Sequence, residues 1–150
     1  MDGRLPPQDD RRMKKLVPIS VALVAALFLA VTALAANKTL TVSMTGKQET
    51  PKGDPDGKGT AKITLEQSKG RICFNLSWSG IGAPNAAHIH KGRKGVAGPV
   101  VVPFFGGAPK HSGCVKASKS LIAQIAKSPA SYYVNVHNAA YPGGALRAQL

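Results

Sequence analysis

From residue 38 onward most of the chain alternates polar and apolar positions, the period of strands with one face buried. Lys38–Thr45 places Leu40, Val42 and Met44 on one side, and Thr60–Leu65 does the same with Ala61, Ile63 and Leu65. Arg71–Trp78 puts Ile72, Phe74, Leu76 and Trp78 together and turns Cys73 and Asn75 to the opposite face. That placement suits a disulfide from Cys73 to a neighbouring loop. Ser131–His137 sorts Tyr132, Val134 and Val136 from Tyr133, Asn135 and His137. Val100–Phe105 is an apolar run that Pro103 ends or confines to an edge, because proline has no N–H for a ladder. Ala145–Leu150 reads as a closing strand. One stretch keeps a different period: Leu121, Ile122, Ile125 and Ala126 recur at helical spacing, with Ser118 or Ser120 available as N-cap and Pro129 as a stop. The prediction is an all-β, antiparallel sandwich or barrel with one short helix near 119–127.

The connections are rich in glycine and proline. Residues 46–59 read as a long exposed loop, 80–85 as a break, 106–113 as a loop carrying His111, and Tyr141–Gly144 as a turn. Asp54-Pro-Asp-Gly57 lacks the spacing and the closing glutamate of a calcium loop, so it reads as a turn.

The stretch from Ala86 to Val102 holds the most chemistry. His88 and His90 are two apart on a strand and therefore share a face, with Ile89 on the other. The loop after them contains Gly92, Gly95, Gly98 and Pro99. With no helix following to present its N-terminus to a phosphate, that loop reads as hairpin-turn chemistry.

The N-terminus is of another kind. Arg11-Arg-Met-Lys-Lys15 precedes an uncharged run, Leu16–Ala36, that ends Ala33-Leu-Ala-Ala36. A basic segment, an apolar core and a small-x-small end are the parts of a secretory signal, with cleavage after Ala35 or Ala36. Left uncleaved, the same run is long enough to anchor the chain in a membrane. Residues 1–36 are thus expected to be a signal peptide or an anchor, and 37–150 the single domain, secreted or held at the cell envelope.

Export changes the reading of charge and cysteine. From residue 36 on there are 15 lysines and arginines against four acids, Glu49, Asp54, Asp56 and Glu66, a formal charge of +11. The cations are dispersed, and the chain has one Trp and three Tyr, so nucleic acid is not the expected partner. An anionic envelope polymer or an extracellular protein is; a membrane becomes a partner only if the N-terminal segment stays uncleaved. Cys73 and Cys114 are the only cysteines, and an even count in an oxidising compartment predicts a disulfide.

Four separated motifs occur in order: Ala87-His-Ile-His-Lys-Gly92, Gly98-Pro-Val-Val-Val102, Tyr132-Tyr-Val-Asn-Val-His137 and Pro142-Gly-Gly-Ala-Leu-Arg-Ala-Gln-Leu150. With the early strand, Gln48-Glu-Thr-Pro51 and Gly59-Thr-Ala61, they resemble a CHRD domain, the module named from chordin, in its small secreted single-domain form. Ala148 stands where that pattern more often has glycine. The resemblance implies an extracellular, immunoglobulin-like β-sandwich. The growth-factor role of the multidomain animal protein does not transfer to a lone basic domain.

Two functions of different class follow. In the first, the domain is a non-enzymatic binding module and its histidines pack and hydrogen-bond at a sheet edge, with Asn135, Asn138 and Arg147 as partners. In the second, His88, His90 and His137 supply three imidazoles to copper or zinc. A His-x-His strand on a β-sandwich is similar in spacing and fold to copper–zinc superoxide dismutase, where Arg147 would stand as an anion guide. That enzyme's bridging histidine and metal-bound aspartate have no counterpart in this sequence, and the early acids place no carboxylate beside the three histidines. No G-x-S-x-G, carboxylate pair or lone cysteine suggests other catalysis.

Overall fold

The structure is a computed structural model that describes residues 1–3 and 36–150. The expected signal or anchor, residues 1–36, lies almost entirely outside the described residues.

Among the described residues eight strands follow in order: β1 Lys38–Thr45, β2 Lys58–Glu66, β3 Arg71–Ser79, β4 Pro84–Lys91, β5 Val100–Gly106, β6 Ser112–Lys116, β7 Tyr132–Asn138 and β8 Leu146–Gln149. The α-helix among the described residues, α1, spans Lys119–Lys127. The strands form a single sheet in the order β5-β4-β7-β8-β1-β2-β3-β6, every pair antiparallel. The two edge strands, β5 and β6, approach each other. Phe74 of β3 and Phe104 of β5 stack across the gap with centroids 4.5 Å apart, so the sheet is a nearly closed barrel.

The alternation predicts the interior. Met44, Ala61, Ile63, Leu65, Ile72, Phe74, Leu76, Ala87, Ile89, Val134, Val136 and Leu146 are buried in one cluster. Burial of this apolar surface is the main drive for closing the sheet. The helix caps as expected: Ser118 Oγ accepts from Leu121 N at 3.2 Å, while Ile122 and Ile125 face the core. Pro129 ends it in a single 3-10 turn.

Two expectations need correction. Cys114 does not lie in a loop; it sits on β6, a strand hidden in the sequence by its short span and by Gly113. Cys73 and Cys114 are directly opposed on neighbouring strands and joined by a disulfide. The 46–59 segment is not an exposed loop throughout, because Gly46, Glu49, Gly53 and Gly57 are buried. Backbone bonds explain this: Asp54 N donates to Ala145 O at 3.0 Å and Gly53 N to Gly46 O at 2.9 Å, folding the segment against the β7–β8 connection.

Candidate metal centre

Directly paired residues of an antiparallel sheet point to the same side. Across β4, β7 and β8 the register therefore draws rows on the outer face of the barrel. One row is His88, Asn135, Arg147 and another is His90, Tyr133, Gln149. His137 stands next to the first, opposite Ala86. The inner face of the same strands is apolar, so these strands carry a hydrophobic layer inside and a polar layer outside. Covering segments keep the polar layer largely dry. His90, Tyr133, Asn135 and Arg147 are buried, while His88 and His137 are partly buried and form its open side.

His88, His90 and His137 converge: one ring nitrogen from each lies within 4.8 Å of the others. The rings stand edge-on or tilted, with His88 5.4 Å from His90 and 5.0 Å from His137 between centroids. Bound to one zinc or copper ion, such nitrogens would stand about 3.4 Å apart, given metal–nitrogen bonds of about 2.0–2.1 Å. Register shifts in the β4–β5 pairing flank His88 and His90, and bulges of that kind aim side chains.

The hydrogen bonds choose which nitrogens are free. His90 Nδ1 is 2.8 Å from Gly98 O and His137 Nδ1 is 2.9 Å from Pro142 O. A carbonyl only accepts, so both Nδ1 atoms carry hydrogen and both Nε2 atoms keep a lone pair, as metal-binding imidazoles do. His90 Nε2 is buried and has no hydrogen-bond partner among the described residues. His137 Nε2 faces Asn135 Oδ1 at 3.0 Å and His88 Nδ1 at 3.2 Å. The amide of Asn135 is oriented by Glu49, whose Oε2 accepts from Asn135 Nδ2 at 3.3 Å. His137 Nε2 therefore takes its hydrogen from His88 Nδ1, while Asn135 Oδ1 confronts it as a second acceptor across 3.0 Å, a contact that a positive centre relieves.

A proton is a poor choice for that centre. Burial pushes the His88 pKa down to about 4, with the charges of His137 and His90 acting in the same direction and an Asn135 hydrogen bond opposing. Burial also lowers His137, against the raising effects of its Pro142 bond and of Glu49. Neutral imidazoles are the form that ligates a metal.

The structure places several sequence candidates differently from expectation. Glu49 supplies the carboxylate that the sequence did not place there. Its distance in sequence hid it, since it reaches the site by the folding back of residues 46–57. Arg147 is not an anion guide: it is 1 % exposed, its guanidinium carbon lies 3.4 Å from the centroid of the Tyr133 ring, and its NH2 donates to Arg93 O and Val96 O at 3.0 Å each. A buried, anchored guanidinium cannot meet a diffusing anion. Asn138 bonds Tyr141 N and Gly82 O and takes no part in the histidine cluster. His111 lies apart, stacked on Trp78 at 4.0 Å with Nδ1 donating to Leu76 O. Tyr133 is the residue the sequence reading did not single out, although alternation already put it on the face of Asn135 and His137. Its ring stacks on His90 with centroids 4.7 Å apart.

No curated protein and no solved structure matches the chain. The family model of the CHRD domain matches residues 40–150, a span that begins in β1, ends at the last residue and includes the complete histidine face. The chain belongs to the CHRD-domain family.

Proposed function

We propose that this protein is an exported CHRD module that binds one copper or zinc ion through His88, His90 and His137. The observation that carries this reading is the buried, unpartnered His90 Nε2 within reach of two further imidazoles. A buried polar nitrogen without a partner costs about 1–3 kcal/mol. A bound ion removes that cost and the acceptor–acceptor clash at Asn135. Carbonyls and an amide tied to a carboxylate orient the rings, which is the usual support for metal-ligating histidines. Three protein ligands would leave the metal a further position for water or a small ligand, as in catalytic zinc sites. Export is supported by the basic and apolar pattern of residues 1–36 and by the Cys73–Cys114 disulfide.

Elemental analysis of protein purified without a histidine tag tests the reading. Near-stoichiometric copper or zinc is expected, with loss of that metal in a His88→Ala/His90→Ala variant. Equal metal content in the two proteins would refute it.

The charge distribution favours a second property. Within residues 37–150 Glu49 and Glu66 are buried, which leaves Asp54 and Asp56 as the acids toward solvent, against exposed lysines on β1, β2, β4, β6, α1 and several connecting loops. Such a surface attracts anionic envelope polymers by a long-range, salt-screened field. Retention on a polyanion column that collapses at high salt is the expected behaviour, and salt-independent retention would contradict it.

A further inference from the structure

The connection between β4 and β5, residues 92–99, folds back over the polar face and is tied at both ends and in the middle. Gln149 Nε2 donates to Gly92 O at 2.8 Å. The NH2 of Arg147 bridges Arg93 O and Val96 O across the turn that Gly95, at φ +77°, allows. Tyr133 OH accepts from Gly98 N at 3.1 Å. A side chain at Gly98 would run into the Lys91 carbonyl, so only glycine brings the loop this close. The next-to-last carbonyl of the loop, Gly98 O, is the one that accepts from His90 Nδ1.

We propose that Arg147 and Tyr133 are positioning residues of the histidine site: by clamping the 92–99 loop they hold the Gly98 carbonyl on His90 Nδ1, and so reserve Nε2 for the metal.

Tyr133 acts twice, because the ring whose hydroxyl ties the loop also stacks flat on the His90 imidazole. Arg147 closes the assembly from β8 by packing on the same ring. Stability alone accounts poorly for a guanidinium there. It is 1 % exposed, and among the described residues its NH1 has no hydrogen-bond partner and its ion-pair partner, Glu49, is 3.7 Å away. Buried cations so incompletely matched are commonly outdone by apolar residues of similar size. What the guanidinium does supply is one NH2 group, held in a fixed plane, whose two hydrogens reach two loop carbonyls at once.

The inference rests on the metal reading only for its second readout. The first readout is the tautomer of His90 in metal-free protein, taken from long-range proton–nitrogen NMR of the labelled full chain. The wild type is expected to be almost wholly Nδ1–H. Arg147→Met and Tyr133→Phe are expected to give mixed tautomers. The second readout is zinc affinity by titration, expected to fall about 10–100-fold in the same variants, as for other groups that orient metal ligands. Tyr133→Phe keeps the ring and removes only the hydroxyl tie, so it reports even if Arg147→Met does not fold. A lower melting temperature with an unchanged His90 tautomer would reduce both residues to structural packing and overturn the proposal. An Nε2–H tautomer in the wild type would also overturn it. A wild type that binds no zinc but shows the expected tautomer shift would refute the metal reading and leave the clamp standing.

Discussion

The imidazole of His90 lies on the ring of Tyr133, centroids 4.7 Å apart and planes 10° from parallel. The two are register partners on β4 and β7, so the contact follows directly from strand pairing. It gives one candidate ligand a fixed plane before any metal arrives, and a site held in advance loses less entropy on binding.

In the metal-free protein, stability should fall with acid earlier than carboxylate titration alone would give. The His88 pKa is depressed to about 4, whereas a histidine in the unfolded chain titrates near 6.5. The unfolded chain therefore binds the proton first. The stabilisation is complete above about pH 6.5 and is lost as pH falls toward 4. His137 shifts in the same direction. Allowing for partial exposure, a loss of about 1–2 kcal/mol is expected between pH 7.5 and 4.5 by urea unfolding. An unchanged midpoint over that range would show that the two rings are solvated like free histidine.

Glu49 and Arg147 form a buried ion pair at 3.7 Å, and Glu49 also fixes Asn135. Glu49→Gln should cost about 3 kcal/mol, because it leaves a buried guanidinium without its counter-charge. Combining it with Arg147→Met should cost less than the sum of the single changes, as expected for groups in contact. Strict additivity in that double-mutant cycle would mean the pair is not coupled.

Replacing Cys73 and Cys114 by serine should lower stability by about 4 kcal/mol, the chain-entropy value for a loop spanning 41 residues. The disulfide ties β6, an edge strand of five residues, to β3. Hydrogen exchange in the reduced protein should therefore rise first at Ser112–Lys116. Uniform loss of protection would place the effect on global unfolding instead.

Much of this architecture is visible in the sequence because period-two alternation is enforced by a one-sided core. Ala61, Ile63 and Leu65 point inward as their spacing requires, and His88, His90, Asn135 and His137 share a face for the same reason. The helix was legible from Ser118 and Pro129, whose chemistry is local. Glu49 was not, since its role depends on a loop closing by backbone bonds to Ala145 and Gly46 that no periodicity records. The burial of Arg147 was hidden too: an arginine on the outer face of a strand faces water unless a loop covers it, and here residues 92–99 do. β6 was missed because five residues with a central cysteine, preceded by glycine, offer too short an alternation to read.

X-ray absorption at the metal edge, on wild-type protein loaded with one equivalent of copper or zinc, tests the central claim most directly. Three imidazoles at about 2.0–2.1 Å are predicted, with the count falling in His137→Ala and unchanged in His111→Ala. One imidazole or none around a metal bound mainly by oxygen would contradict it.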